Sequence, residues 1–124
     1  MAQIVLDTNI LIEILKNNTQ TLRAVEGLNG GLCISAITVM ELYFGARDKT
    51  ELSKLKKFIE LFEVIEINAD ISSQAILLIE KYAKSHHLDI PDALIAASVL
   101  VNKLPLMTYN RKDFKYIDGL MLIS

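Results

Sequence analysis

No stretch of this sequence is apolar for anything near the ~20 residues that cross a bilayer, although 52% of its residues are hydrophobic. The N-terminus also lacks a basic segment leading into an apolar core, so neither a membrane span nor a secretory signal is expected. A soluble, cytoplasmic protein is predicted. There is one cysteine. Cys33 lies within the apolar run Leu32-Cys33-Ile34, which excludes a disulfide framework and reads as a small core residue. Excess positive charge is missing too: 13 Lys and Arg stand against 15 Asp and Glu, a formal net charge of −2. Binding to nucleic acid through a global basic field is therefore excluded, and any such contact has to be local. Candidate patches are Lys54, Lys56 and Lys57, then Lys81 and Lys84, then Arg111, Lys112 and Lys115, each of which reads first as a solvated face. Low-complexity linkers and internal repeats are absent. The 124 residues are read as one domain, 1–124, able to bury about two-thirds of its unfolded surface.

What is present is alternation. Short apolar, largely β-branched runs at Ile4 to Leu6, Leu32 to Ile34, Val64 to Ile67, Leu106 to Thr108 and Leu120 to Ile123 read as strands. Helical spacing fills the gaps. Thr50 can cap TELSKLKKFIELF, Asp70 can cap the segment to about Ser85, and Pro91 suits the first turn of PDALIAASVLV. The last of these is apolar most of the way round and reads as buried. Strands separated by helices predict an α/β fold with a mostly parallel sheet covered on both faces. Ligands of such folds bind beyond the carboxyl ends of the strands.

Against that frame the acids stand out. In IVLDTNIL, Asp7 follows the first strand and precedes a helix. It reads either as an N-cap or as a carboxylate at the active edge of the sheet. Ser35 can cap a helix over SAITVMELYFGA, on which Glu41 shares a face with Ile37 and Phe44. Asp92 occupies the first turn of an almost wholly apolar helix. The helix dipole favours it by about 0.3–1 kcal/mol, less than the burial of an unpaired charge costs. In LMTYNRKDF, Thr108, Asn110 and Asp113 cluster near a strand end, with a turn and a short helix capped by Asn110 as the structural alternative.

Two carboxylates about 5 Å apart repel by roughly 3 kcal/mol at an effective dielectric near 20. Acids gathered at one sheet edge therefore need protons or a cation. The donors are all oxygen, without paired Cys or His at zinc spacing, which favours Mg²⁺ or Mn²⁺. His86 and His87 lie in the polar connection SHHLD and read as surface residues. Among the aromatics, Phe44 reads as core from its spacing with Met40, while Tyr43 and Tyr109 are open between packing and stacking on unpaired bases.

LDTNIL, ITVMELYFGA, DIPDALIAA and TYNRKDF, in this order and over essentially the whole chain, resemble a PIN domain of the VapC toxin type. The resemblance implies a three-layer α/β/α sandwich with about five strands, and a metal-dependent ribonuclease, often dimeric, inhibited by a cognate VapB-like antitoxin. By position, Asp7, Glu41 and Asp92 match the acidic triad. Thr8 and Asn9 match the polar positions after the first acid, and Ser35 matches the small polar residue before the glutamate helix. The fourth acidic position is shared between Asn110, where many relatives have Asp, and Asp113; Asp89 is an extra acid, solvent-exposed or capping. The implied reaction is hydrolysis of RNA phosphodiester bonds to 3′-hydroxyl and 5′-phosphate ends. One or two Mg²⁺ or Mn²⁺ ions on Asp7, Asp92 and Asp113 would activate water. Glu41 would complete the shell, and Thr8, Asn9, Thr108 and Asn110 would orient carboxylates or waters.

Two other classes stand beside this one. A metal-dependent phosphatase or phosphoacceptor domain also places Asp after the first strand, but such enzymes usually carry a second acid two residues on, where this chain has Asn9. A non-catalytic interaction module would keep the fold and bind neither Mg²⁺ nor RNA productively. A homodimer is expected as well, because runs such as ILIEIL offer more apolar side chains than one small core needs.

Overall fold

The computed structural model describes residues 3–123. Five strands, β1 (Gln3–Leu6), β2 (Gly31–Ser35), β3 (Glu63–Ile65), β4 (Leu106–Met107) and β5 (Leu122–Ile123), form one sheet in the order β3-β2-β1-β4-β5. All four pairings are parallel, with Val5 opposite Cys33 on one side and opposite Leu106 on the other. The strand order reverses at β1. From there the chain steps outward through β2 to β3, then returns to the far side of β1 as β4, which creates a switch point between the carboxyl ends of β1 and β4.

Side chains alternate across the sheet, as a period of two requires. Ile4, Leu6, Ile34 and Met107 pack with helices α1 (Thr8–Leu15), α3 (Ala36–Phe44) and α4 (Lys49–Ile59). Val5, Cys33 and Leu106 face the other way, towards α5 (Ala69–His86) and α6 (Ile90–Asn102). α2 (Thr19–Glu26) completes the connection from β1 to β2. Both faces are covered, so the strands can be continuously apolar, and the expected three-layer α/β/α sandwich results. The buried α6 reads as predicted: Ala93, Ile95, Ala96, Ala97, Ser98 and Val99 are all buried.

Several local expectations need correction. α4 is capped by Asp48, not Thr50, and α5 by Asn68, not Asp70; in each case the acceptor two residues earlier reaches the N3 amide. Asn110 makes no side-chain cap on the 3₁₀ turn Arg111–Asp113. β3 stops at Ile65 and β5 begins at Leu122. Phe44, read as core, is 93% exposed. The buried stripe of α3 is Thr38 and Leu42, and Met40 and Phe44 lie about 200° round the helix from it.

Phe114 is the largest fully buried side chain, set against the α5/α6 layer directly after Asp113. Phe114→Ala should lower stability by about 3–5 kcal/mol, read as a reduced urea midpoint. A loss below ~1 kcal/mol would show that this anchor is not needed.

Candidate active site

Asp7 ends β1 at the switch point and is only 4% exposed. Its extended backbone (φ −69°, ψ 157°) makes it the N-cap of α1, and one carboxylate oxygen accepts from the Thr8 N–H at 2.8 Å. The other accepts from the Thr108 hydroxyl at 2.7 Å, across 101 residues of sequence. Asp7 is thus both a cap and a buried carboxylate tied to β4. Burial pushes its pKa above the ordinary aspartate value; the Thr108 and Thr8 bonds oppose the shift, and the charges of Asp113 and Asp89 add to it.

The Thr108 hydroxyl gives its proton to Asp7 and accepts from the Asn110 backbone N–H (3.0 Å) and from Asn9 Nδ2 (3.4 Å). Asn9 Oδ1 in turn accepts from the Tyr109 N–H at 3.3 Å. Thr8, Asn9, Thr108 and Asn110 therefore form one lattice around the ends of β1 and β4. Ser35 is buried, and its hydroxyl accepts from the Ile37 N–H as the cap of α3.

Glu41 projects from α3 to the same edge. Thr8 Oγ1 lies 2.8 Å from Glu41 Oε1 and 2.9 Å from Thr38 Oγ1. An ionised carboxylate only accepts, so the Thr8 proton goes to Glu41 and Thr38 donates to Thr8. Thr38 is wholly buried and was not singled out in the sequence. The only signal for it is a hydroxyl three residues before Glu41, on an adjacent part of the same helix.

Asp92 stands half-buried in the first turn of α6, whose cap, Asp89, accepts from the Asp92 N–H. Its pKa is raised to about 7, first by burial and then by the charges of Asp89, Asp7, Asp113 and Glu41. One side chain thus feels every other acid of the cluster. Asp89, read as exposed or capping, is both, and its charge is the largest electrostatic influence on Asp92. Of the two candidates for the fourth position, Asp113 is half-buried and its charge reaches Asp7 and Asp92, whereas Asn110 is exposed. His86 stacks on Tyr116 at 4.1 Å and bonds to Ser85, and His87 ends α5, so neither serves as a ligand partner to the acids.

The donor set fits a hard divalent cation: carboxylates, hydroxyls and amide oxygens at one edge, with mutual repulsion that only protons or a cation relieve. Among the described residues, no three acidic, histidine or cysteine side chains are gathered tightly enough to hold a metal ion as they stand. Two of these carboxylates are occupied by hydroxyl donors, Thr108 on Asp7 and Thr8 on Glu41. Glu41, with its carboxylate exposed, has room to turn.

The comparisons with known proteins show the family and the fold. The chain is 29% identical over 126 residues to the tRNA(fMet)-specific endonuclease VapC of Shigella flexneri, with 97% of this chain and 96% of that one covered. It is 32% identical over 115 residues to Ribonuclease VapC1 of Methanocaldococcus jannaschii, covering 92% and 80%. Its fold matches that in a toxin-antitoxin complex from Klebsiella pneumoniae with a TM-score of 0.82 and 31% identity, over 100% of this chain and 97% of that one. A second match, to VapBC2 from Rickettsia felis bound to a promoter DNA fragment, has a TM-score of 0.83 and 29% identity over 98% and 97%. The PIN domain model matches residues 4–120, and with the parallel sheet and the acids at its switch point, the chain belongs to the PIN domain family.

Proposed function

We propose that this protein is a Mg²⁺- or Mn²⁺-dependent endoribonuclease, the toxin of a type II toxin-antitoxin pair, acting on RNA in the cytoplasm. The observation that carries this reading is the buried Asp7 carboxylate at the point where the strand order reverses, held by the Thr108 hydroxyl and the Thr8 amide, with Glu41 joined to it through Thr8. Relatives across nearly the full chain are named ribonucleases or endonucleases.

Asp7, Asp92 and Asp113 would hold the cation, which when bound supplies positive charge against the phosphate and acidifies water. The chain's own residues do the rest. Thr108 and the Thr8 amide lock the Asp7 carboxylate in one orientation. Thr38 and Thr8 aim Glu41, whose free oxygen can accept a proton from water or orient it. Asn9 ties the loop after β4 to α1, so the two strand ends cannot drift apart.

An apolar groove of about 450 Å³ between α1, α3 and α4, lined by Ile12, Leu15, Leu42 and Leu55, runs to Glu41. It suits an apolar segment of the antitoxin, which would cover the site from there. Ile76 and Ile90 line a second exposed apolar face on α5 and α6, which suits the isologous contact of a homodimer. Among the described residues no helix is long and apolar enough to cross a membrane.

Purified protein freed of antitoxin should cleave RNA with Mg²⁺ or Mn²⁺ and stop in excess EDTA, and Asp92→Ala should lose turnover while keeping its far-UV spectrum. Cleavage that persists in EDTA and is absent from the Asp92→Ala preparation would overturn the metal mechanism.

The Asp92 shift also has a sign for stability. The folded state keeps this proton up to about pH 7, whereas the unfolded chain releases it near 3.8. Stability from this group is therefore fully present below about pH 4, is lost as pH rises through 7, and then levels off. Metal-free Asp92→Asn should melt above wild type at pH 8, with the advantage shrinking towards pH 4. An advantage that does not change with pH would show that Asp92 does not titrate this way.

A further inference from the structure

Tyr109 follows Thr108, the residue whose hydroxyl holds Asp7, and its own backbone N–H is bound by Asn9. Its phenol oxygen is hydrogen-bonded to the hydroxyl of Thr21 on α2. Thr21 is completely buried, and this is the side-chain bond that satisfies its hydroxyl. The tyrosine ring is thus fixed at both ends, by its backbone to α1 and by its tip to α2. Yet Tyr109 is 50% exposed.

A half-exposed ring pinned at both ends is unusual for a packing residue. Tyr116 shows the contrast: it stacks on His86 at 4.1 Å with an interplanar angle of 10° and meets the edge of Tyr82 at 5.0 Å. Among the described residues no other ring or cation packs on Tyr109. Phe44 is more exposed still, but it is the last residue of α3 and has no polar tip to fix it. Arg111 and Lys112, both exposed, come in the turn directly after Tyr109. In a chain of net charge −2, this places two cations and a free aromatic face beside the acids.

We propose that Tyr109 is a base-stacking platform of the active site: it takes an unpaired nucleobase of the RNA next to the phosphodiester facing the carboxylates, with Arg111 and Lys112 on the flanking phosphates. This rests on the ribonuclease reading and adds a named residue that would receive a base beside the cut. A paired base has its faces covered by neighbours, so only an unstacked one can lie on the ring. Every base has a π-face, so the platform selects single-strandedness and leaves sequence to other contacts. Prior fixation by Thr21 and Asn9 means that little side-chain freedom is lost on binding.

The test uses the full chain carrying Asp92→Asn, so that RNA is not consumed, and a labelled unstructured oligoribonucleotide, free or annealed to its complement, read by anisotropy. The parent should prefer the single strand. Adding Tyr109→Leu should weaken single-strand binding about tenfold or more, the scale of one stacked base, and abolish the preference over the duplex. Tyr109→Phe, which keeps the ring and loses the Thr21 bond, should retain the preference with a loss of a few fold, and Thr21→Val should match it. Single-strand binding unchanged in Tyr109→Leu would overturn the proposal, as would Tyr109→Phe losing as much as Tyr109→Leu. A parent that binds neither form, in a protein whose wild type cleaves no RNA, would instead remove the ribonuclease reading, and the platform with it.

Discussion

The bond from the Thr108 hydroxyl to the Asp7 carboxylate holds the candidate site together. It joins the carboxyl ends of β1 and β4 at the point where the strand order reverses. A carboxylate 4% exposed is costly to keep ionised, and a hydroxyl and an amide compensate only part of that cost. The surrounding lattice exists to keep those two donors in place. Asn9 and the Asn110 amide fix the Thr108 oxygen, and α1 begins at Thr8 because Asp7 caps it. The same Thr8 turns its hydroxyl to Glu41 under direction from Thr38, so the orientation of one acid is transmitted to the next through a single residue.

Around this fixed carboxylate the fold assembles further charge that it does not neutralise. Asp92 enters on α6, anchored by an apolar helix with six consecutive or near-consecutive buried positions, from Ala93 to Val99. Asp113 enters on a short turn whose following residue, Phe114, is fully buried. In both cases an acid is held beside Asp7 by the hydrophobic residue or helix next to it, and burial energy, not ion pairing, sets its position. The three ion pairs of the described residues, Lys16–Glu13, Arg47–Glu51 and Lys81–Asp118, all involve other acids. On the proposed reading, the repulsion along this edge would fall when a cation binds, and folded-state stability would then depend on the metal.

Much of this was legible in the sequence, for identifiable reasons. Strands covered on both faces leave short apolar runs, and each of the five runs lies within two residues of its strand's ends. The acids were conspicuous because they interrupt apolar elements. The caps differ where two plausible residues compete locally: α4 and α5 each begin earlier than Thr50 and Asp70 allow, so Asp48 and Asn68 are the caps and accept from the Glu51 and Ile71 amides. Phe44 was misplaced because its spacing with Met40 defines a stripe but does not say which stripe faces inward; Thr38 and Leu42 do. Thr38 and Thr21 could not be read at all. A threonine inside a helix looks like a β-branched filler or a surface residue, and the partners that reveal these two hydroxyls lie 30 and 88 residues away.

The central claim is that these carboxylates act jointly as a cation site, with Asp7 a member and not merely a cap. Melting wild type and Asp7→Asn with and without Mg²⁺ tests it most directly, because asparagine caps about as well as aspartate and so keeps the helix start. Without metal, Asp7→Asn loses one repelling charge but also the acceptor of the Thr108 hydroxyl, so each protein's own metal-free melting temperature is the baseline for its Mg²⁺ shift. Mg²⁺ should raise the wild-type melting temperature clearly and that of the variant little. Equal Mg²⁺-induced shifts in the two proteins, with RNA cleavage retained by the variant, would contradict the account and leave Asp7 as a helix cap alone.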